Sequence, residues 1–372
     1  MLLIQTNRDA LLKPLQAVIG IVERRHTLPI LSNVLIEKNS HGLSIVATDL
    51  EIQITATSEC KEEAPDFAIT VAAKKLQDIC RAFPESAKIA LESEETRLQI
   101  KVGKSRFNLQ TLPAIDFPKL SSSAENQSVI KMGQNTLKKL LNHVQYAMAQ
   151  QDIRYYLNGL LLVIEPGLFR VVTTDGHRLS MASHPLDEQE IAAQKCHEVI
   201  LPRKTVTELV KLLHDTDEEI TIEISHNQTR FLFANIVLVS KIVEGKFPDY
   251  NRVIPTNYQN HIKIERATLL QALQRASILS NEKFRGVRLV LTQNSLRIIC
   301  NNNEQEEAQE ELEIGYDGDA LDIGFNVNYL LDVLNNLADE AITLSFGDAN
   351  SSGLITVPDN EFFKYVVMPM RI

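Results

Sequence analysis

The segment VAAKKLQDICRAF (71–83) has two counterparts later in the 372-residue chain, LPRKTVTELVKLL (201–213) and FNVNYLLDVLNNL (325–337). In every copy the sixth, ninth, tenth and thirteenth residues are apolar. This spacing of i, i+3, i+4 and i+7 puts the apolar side chains on one face of a helix. The three segments are therefore predicted to be related amphipathic helices, each with one face in a protein core.

Two further sets of segments repeat in the same order along the chain. One set is helical and comprises IQTNRDALLKPLQAV (4–18), IKMGQNTLKKLLNHV (130–144) and IKIERATLLQALQRA (262–276). The other set is strand-like and aligns Asp49, Asp175 and Asn301 at intervals of 126 residues. Three sets at a nearly constant offset predict a structural unit that occurs three times in the chain.

Each predicted unit contains a strand, a helix, several strands, a second helix and further strands. Runs that alternate apolar and polar residues support the strands. Polar stretches at 121–128 and 252–260 are candidate linkers between the units. The sequence therefore predicts an α+β protein of three similar domains, at residues 1–126, 127–252 and 253–372.

Composition narrows the class of protein. The four cysteines (Cys60, Cys80, Cys196 and Cys300) are scattered and form no C-x-x-C pair. This pattern favours a reducing compartment over a disulfide framework or a zinc site. The amino-terminal residues lack the features of a signal peptide, and no apolar run reaches the ~18 residues of a membrane span. We expect a cytoplasmic protein without a bound cofactor.

Charge is distributed unevenly between the predicted helices and the rest of the chain. The chain has a net charge of −10, but the six helical segments together carry +8. A single basic helix is ordinarily a solvated surface, but six helices that sum to +8 in an acidic chain point to a shared basic surface that faces a polyanion. Lysine and arginine without an aromatic stacking platform would contact backbone phosphates rather than read base sequence. The predicted helical segments are 8–20, 72–84, 134–150, 202–214, 266–280 and 326–337.

Catalytic motifs are weak in this sequence. Gly103-Lys104-Ser105 lacks the upstream glycine of a phosphate-binding loop, and a strand follows it, so it is predicted to be a hairpin turn. Asp175, His177 and Ser180 lie close together in the chain and could form a catalytic cluster. The related segments around Asp49 and Asn301 contain no histidine, so a turn with a surface histidine is the favoured interpretation.

Seven stretches together resemble the bacterial DNA polymerase III beta subunit, the sliding-clamp family, and they occur in the family's order. The stretches are RRHTLPILSNVLI (24–36), DIRYYLNGLLL (152–162), TTDGHRL (173–179), EGKFPDYNRVIP (244–255), SILSNEKFRGVRL (277–289), IGFNVNYLLDVL (323–334) and YVVMPMRI (365–372). Small departures are VAAKK, where the family tends to show a proline after the valine, and Ile372 in place of a terminal leucine.

The resemblance implies a head-to-tail homodimer in which six similar domains form a ring, with helices lining the interior and sheets outside. Such a ring encircles duplex DNA without sequence preference and tethers the replicative polymerase. It is a non-catalytic processivity subunit, with the polymerase catalytic subunit, the clamp loader and other proteins that carry a clamp-binding motif as partners. The residues that match the family's DNA contacts are Arg25, Gln151, Tyr155, Tyr156, Arg203 and Lys204. Core packing is an equally good interpretation of Tyr156.

The resemblance also implies a groove for short peptides and a dimer seam. Its carboxyl-terminal wall suits a peptide groove because methionine is flexible and polarisable. The groove residues are Leu157, Thr174, Gly176, His177, Arg178, Leu179, Pro248, Arg252, Val366, Met368, Pro369, Met370 and Arg371. The seam residues are Lys104, Arg106, Phe107 and Leu109 of one subunit against Ile278 and Leu279 of the other. The acidic run at 304–311 is expected to face Lys104 and Arg106.

Two other classes of function remain open from the sequence. A protein-interaction scaffold built from repeats would never encircle DNA, and neutralising its basic helix residues would have no effect. A hydrolase that uses Asp175 and His177 would lose turnover in a His177→Ala variant while its protein binding stayed intact.

Overall fold

The computed structural model describes residues 1–23, 28–39, 42–59, 65–121, 128–187 and 197–372. These residues form two compact units. The first unit comprises 1–135 and Thr207–Ile242, and the second comprises Thr136–Asp187, 197–206 and Val243–Ile372. Arg25 and residues 122–127 of the first predicted linker lie outside the described residues.

All six predicted helices are confirmed, although each is shorter than its predicted segment. The described helices are α1 (Arg8–Val18), α2 (Ala73–Arg81), α3 (Gln134–Val144), α4 (Arg203–Leu212), α5 (Arg266–Ala276) and α6 (Val327–Asn336). Helices α1, α3 and α5 continue into short 3-10 turns at Ile19–Ile21, Gln145–Ala147 and Ser277–Leu279. For these three helices, part of the excess predicted length is the 3-10 turn, which a periodic pattern does not distinguish from an α-helix.

Helix α1 contains a proline, Pro14, in its interior. Proline has no N–H group, so the carbonyl of Ala10, four residues earlier, loses its helical donor. The Ser58 hydroxyl replaces that donor and lies 2.8 Å from the Ala10 oxygen. A strand residue therefore completes the hydrogen bonding of the helix, and α1 continues past the proline.

The strands are numbered along the chain. The first twelve are β1 (Leu2–Asn7), β2 (Asn33–Asn39), β3 (Gly42–Thr48), β4 (Ile52–Ser58), β5 (Phe67–Ala72), β6 (Lys88–Glu94), β7 (Arg97–Val102), β8 (Ser105–Leu112), β9 (Ser128–Gly133), β10 (Gly159–Glu165), β11 (Leu168–Thr174) and β12 (Arg178–Pro185). The remainder are β13 (His197–Pro202), β14 (Glu219–Ile224), β15 (Gln228–Phe233), β16 (Ile236–Lys241), β17 (Asn260–Glu265), β18 (Gly286–Thr292), β19 (Ser295–Asn301), β20 (Glu307–Glu313), β21 (Leu321–Asn326), β22 (Ala341–Phe346), β23 (Gly353–Val357) and β24 (Asn360–Val367).

Strand order shows how the repeats join within each unit. The first unit has one antiparallel sheet in the order β1-β6-β7-β8-β5-β2-β3-β4-β16-β15-β14-β9. The second unit has an eight-stranded sheet, β13-β10-β11-β12-β24-β23-β22-β17, and a four-stranded sheet, β20-β19-β18-β21. Strand β4 of the first repeat therefore pairs with β16 of the second, and β12 of the second repeat pairs with β24 of the third.

Strands β20 and β8 are two of the strands that keep an open edge among the described residues. Strand β20 is the outermost strand of the four-stranded sheet. Strand β8 pairs with β7 along its length but with β5 only at Leu112 and Thr111. Among the described residues, the 105–110 part of β8 therefore has a strand neighbour on one side only. Open edges present unpaired backbone N–H and C=O groups to a further strand.

Turn chemistry confirms one prediction and corrects another. Gly103 and Lys104 form the predicted two-residue hairpin, with Val102 opposite Ser105. The predicted equivalence of Asn301 with Asp49 and Asp175 is wrong by one residue. Asp49 and Asp175 each accept two backbone N–H groups from the residues that follow them, and in the third repeat Asn302 does the same.

Cys80 and Cys300 are free and buried, whereas Cys60 and Cys196 lie outside the described residues. Burial raises the pKa of the Cys80 thiol to about 12 and that of the Cys300 thiol to about 11. Within the described ranges, no group of three or more His, Cys, Asp or Glu side chains could hold a metal ion. No described helix is long and apolar enough to cross a bilayer.

Candidate functional site

A cavity of about 200 Å³ opens on the second unit. Four segments that are distant in the sequence line it: the loop after α3, the β11–β12 turn, the segment before β17 and the end of β24. Most of its lining side chains are apolar, and arginines stand at one side. The lining residues are Arg154, Leu157, Thr174, Gly176, Arg178, Leu179, Phe247, Pro248, Tyr250, Val253, Val366 and Met368.

The structure brings most of the predicted groove residues to this cavity. Those that line it are Leu157, Thr174, Gly176, Arg178, Leu179, Pro248, Val366 and Met368. The other predicted residues, His177, Arg252, Pro369, Met370 and Arg371, lie beside the cavity rather than in its lining. Arg252 is exposed and forms an ion pair with Asp249 at 2.9 Å.

Four lining residues were missing from the sequence prediction: Arg154, Phe247, Tyr250 and Val253. All four fall within stretches that carried the family resemblance. Phe247 and Tyr250 are buried in the same apolar cluster as Leu157 and Val366. In a sequence, such aromatic residues are indistinguishable from ordinary core residues, so no local signal separates them.

Strand pairing builds the floor of the cavity. Leu179 of β12 lies opposite Val366 of β24 in antiparallel register, and both side chains are buried. Beyond the strand, the tail is held by two backbone hydrogen bonds. The Met368 N–H donates to the His177 oxygen at 2.9 Å, and the Met370 N–H donates to the Gly324 oxygen at 2.8 Å. The chain end is thus a strand up to Val367 and a cavity wall after it.

The β11–β12 turn shapes the opposite wall. Gly176 has a φ of +89°, a backbone conformation that favours glycine. A Cβ atom at this position would lie 3.1 Å from an Arg154 nitrogen. That guanidinium also donates to the Asp175 backbone oxygen at 3.3 Å. Glycine therefore lets the Arg154 side chain lie flat against the turn at the edge of the cavity.

Arg178 is the most constrained cation of the cavity. Its side chain is only 9% exposed, and its guanidinium contacts the Asp175 carboxylate at 3.1 Å and the Asp332 carboxylate at 2.5 Å. Burial opposes the charged form, but Tyr365, Asp332 and Asp175 act against it and raise the pKa above its ordinary value. Arg178 therefore stays a cation inside a largely apolar wall.

The loop at 151–158 presents the predicted DNA contacts of the second repeat. Gln151 and Tyr155 are exposed, whereas Tyr156 is half-buried and packs against the apolar cluster of the cavity. Asn158 braces the loop, because its side-chain amide accepts from the Asp152 backbone N–H at 2.9 Å and donates to the Asp152 backbone oxygen at 2.8 Å. Hydrogen bonds from Arg154 lower the pKa of Asp152 to about 2.

The two predicted basic contacts lie at the start of α4. The Arg203 guanidinium donates to the backbone oxygens of Met148 and Ala149 at 3.0 and 3.3 Å, so this side chain supports the loop from below. Burial, together with the charge of Arg178, lowers its pKa. Lys204 is partly exposed.

The predicted seam residues lie in or beside strands β8 and β20, each of which has an open edge among the described residues. Lys104 and Arg106 are exposed, while Phe107 and Leu109 are half-buried and Phe107 meets the Phe83 ring edge-on with centroids 6.0 Å apart. Ile278 is 77% exposed. The turn that carries Ile278 and Leu279 packs against the acidic strand β20.

The residues of the possible hydrolase cluster serve the turn and the core instead. One Asp175 oxygen accepts the backbone N–H groups of His177 and Arg178. Ser180 is fully buried, and its hydroxyl donates to the His143 backbone oxygen at 2.6 Å. His177 is exposed. This arrangement does not assemble a nucleophile with a general base.

Comparison with known proteins identifies the family. Three family models match in order along the chain: the N-terminal, central and C-terminal domains of the DNA polymerase III beta subunit, at residues 2–121, 131–249 and 251–371. A Pseudomonas aeruginosa protein named beta sliding clamp is 47% identical over 98% of both chains.

Solved structures agree with the sequence comparison. A crystal structure of the DNA polymerase sliding clamp from Pseudomonas aeruginosa with ligand superposes with a TM-score of 0.96 at 44% identity and covers 100% of both chains. A Pseudomonas aeruginosa sliding clamp bound to griselimycin superposes with a TM-score of 0.95 at 45% identity, again over 100% of both chains. The chain therefore belongs to the DNA polymerase III beta subunit family, the beta sliding clamps.

Proposed function

We propose that this protein is a DNA sliding clamp. It encircles duplex DNA and tethers the replicative polymerase, the clamp loader and other proteins through short peptides, and it is a cytoplasmic, non-catalytic processivity subunit. The observation that carries this proposal is the presence of all three clamp domains, in order, in one chain. We assign the domains to residues 1–126, 127–252 and 253–372.

A closed ring solves a physical problem that a simple DNA-binding surface cannot solve. Tight phosphate contacts would retain DNA but resist sliding, whereas weak contacts inside a closed ring allow both retention and movement. The basic helical segments suit such contacts, because phosphate neutralisation is independent of base sequence. Gln151 and Tyr155 are the exposed candidates, and Arg203, Lys204 and Tyr156 support or flank them.

We infer a head-to-tail dimer from the strand topology. In two places a repeat is joined to the next by the same pairing, β4 with β16 and β12 with β24. The third equivalent pair is β20 with β8, and both of these strands have an open edge among the described residues. Pairing β20 of one subunit with β8 of another repeats the strand pairing that joins the repeats within a chain. Two such seams close a ring of six domains.

The same equivalence predicts the register of the seam. Ile54 pairs with Leu238 at the first joint, and Ser180 pairs with Tyr365 at the second. The corresponding residues at the seam are Ala308 and Phe107, because Ala308 and Ile54 follow equivalent turns. Phe107 of one subunit is thus expected opposite Ala308 of the partner subunit.

This register places the basic residues of β8 and its turn against the acidic strand β20 of the partner subunit. Lys104 would lie opposite Glu311 of the partner subunit, and Arg106 opposite the partner's Gln309. Surface ion pairs contribute only about 0–1 kcal/mol each, so the half-buried Phe107 and Leu109 and the adjoining Ile278 and Leu279 supply most of the seam's stability.

We further propose that the cavity next to Met368 is the peptide-binding groove. Apolar side chains fill its floor, and Arg154 and Arg178 at its side can donate to peptide carbonyls or to an acidic side chain. A relative crystallised with griselimycin gives a defined probe for this groove. We expect griselimycin to bind the cavity of this chain and to compete with partner peptides.

Retention on DNA tests the proposed function. The protein is loaded by its clamp loader onto a nicked circular plasmid, the salt concentration is raised, and the plasmid is then cut once. A clamp should survive high salt on the circle and slide off after linearisation. An ordinary phosphate-binding surface would lose affinity steeply with salt on both DNA forms. Equal loss from circle and linear DNA would refute encirclement, and no association at all would favour the scaffold alternative.

A further inference from the structure

Arg178 is held from two sides of the groove wall. On its own domain, Asp175 contacts its Nε, and the Tyr146 backbone oxygen accepts from Nη2 at 2.7 Å. From the third domain, the Asp332 carboxylate of helix α6 accepts from Nη1 at 2.5 Å. The Tyr329 ring, one turn earlier on α6, lies under the guanidinium with its centroid 4.4 Å from Cζ.

The contacts of Arg178 with Asp175 and with Asp332 differ in strength and in how far each carboxylate is engaged elsewhere. Asp175 already serves its own turn by accepting two backbone N–H groups with its other oxygen. The Asp332 contact is shorter, and charge-assisted hydrogen bonds of this length are the stronger ones. Asp332 is 42% exposed, so its carboxylate depends little on Arg178 for solvation, whereas the 9% exposed Arg178 depends on its carboxylates.

We propose that Asp332 is a positioning residue for peptide binding in the groove. It does not line the cavity, and it acts by fixing the Arg178 guanidinium against Tyr329 so that an N–H group not used by the protein faces the peptide. Arginine has five N–H donors, and four partners of the protein engage them: Asp175, Asp332, the Tyr146 backbone oxygen and the Tyr365 hydroxyl. This inference rests on the proposed peptide-groove function.

Without Asp332, the guanidinium loses its contact to the third domain and can rotate about Nε toward the open cavity. Part of the peptide's binding free energy is then used to reorient the Arg178 guanidinium, so the peptide binds more weakly. Replacing Asp332 by leucine keeps the branching of the side chain at Cγ but removes the acceptor and the charge. We expect griselimycin affinity to fall about tenfold, the size of one charge-assisted hydrogen bond.

A double-mutant cycle tests this role by calorimetric titration with griselimycin. Asp332→Leu is measured in the unmodified protein and in an Arg178→Ala background, with Arg178→Lys as a second background if the alanine variant fails to fold. A residue that acts through Arg178 loses its effect when Arg178 is absent. We expect the tenfold loss in the unmodified protein and less than about a twofold further loss in the Arg178→Ala background.

Two controls make the result specific. Asp332→Glu keeps the carboxylate and should recover most of the affinity. Asp322→Leu removes a similarly exposed carboxylate (47%) that pairs with Arg288 away from the cavity, and it should leave the affinity unchanged. Equal losses from Asp332→Leu in both backgrounds, or no loss in either, would overturn the positioning role. If the unmodified protein does not bind griselimycin, the proposed groove itself is wrong and the inference is overturned with it.

Discussion

Leu179 and Val366 lie directly opposite each other in neighbouring antiparallel strands, although they belong to the second and third repeats. Their buried side chains form the floor of the groove, and the chain leaves the sheet one residue later. The groove is therefore built where two domains share a sheet. Its last wall, at Met368, depends on how that shared strand ends.

Removing Met368–Ile372 is expected to abolish griselimycin binding while β24 and the dimer stay intact. The deleted residues include Met368, which lines the cavity, and none of them makes a strand pair. Calorimetry should show at least a tenfold loss of affinity, and analytical ultracentrifugation should show an unchanged mass. Removing only Arg371 and Ile372 is the matched control, because the anchored N–H groups of Met368 and Met370 remain. Dissociation of the dimer in the longer deletion would contradict this separation of roles.

The proposed seam register predicts which cysteines form a cross-link. Arg106→Cys combined with Gln309→Cys should give a covalent dimer under mild oxidation, because these residues are expected to face each other across the seam. Arg106→Cys combined with Glu310→Cys should react far less, since a shift of one residue moves a side chain to the other sheet face. Non-reducing electrophoresis reports the result. Preferential reaction of the second pair would show that the register is wrong by one residue.

Gly176→Ala should weaken griselimycin binding through Arg154. The substitution strains a backbone with φ of +89° and brings a methyl group to about the 3.1 Å position beside the Arg154 nitrogen. The strain costs about 1 kcal/mol of the free energy of unfolding, and the displaced Arg154 enters the cavity. Gly167→Ala is the matched control, because Gly167 also has a positive φ (+76°) but nothing lies within 4 Å of its Cβ position. Equal griselimycin affinities of the Gly176→Ala and Gly167→Ala variants would show that displacement of Arg154 does not weaken binding.

Gly20→Ala should destabilise the first unit. A Cβ atom at Gly20 would collide with the carboxylate of Glu208, which is buried and held by Lys211 at 2.7 Å. Overpacking of this kind typically costs about 1–3 kcal/mol of the free energy of unfolding. Chemical denaturation should show the loss, and Gly315→Ala, whose Cβ position is open, should not. If adding Glu208→Ala to Gly20→Ala restores no stability, the collision is not the cause.

The buried thiols predict a pH dependence above neutrality. Burial raises the pKa of Cys80 to about 12 and that of Cys300 to about 11, from an ordinary value of 9.0. The folded state therefore favours the neutral thiols, and this contribution to stability is complete below pH 9 and declines as the pH rises toward 11–12. In a Cys60→Ser, Cys196→Ser variant, iodoacetamide should label neither thiol at pH 8 unless denaturant is added. Rapid labelling of the native protein would contradict this burial.

Local patterns predicted the helices well. The i, i+3, i+4, i+7 spacing in 71–83 and its counterparts identified α2, α4 and α6, because a helix buries one stripe that repeats every turn. The hairpin at Gly103 and Lys104 was also predicted from local sequence, since a short loop between two strands can adopt only a few turn types. The family resemblance added most of the residues that line the cavity.

The sequence by itself determined the threefold repeat, the helix positions and the apolar carboxyl-terminal run, because each depends on residues that are neighbours in the chain. The tertiary structure alone decided that Asn302 rather than Asn301 matches Asp49, that Phe247 and Tyr250 join the groove, and that Asp332 holds Arg178. These relationships arise from strand pairing and burial between distant segments. Distant segments meet only after the chain has folded, so no local periodicity records their contacts.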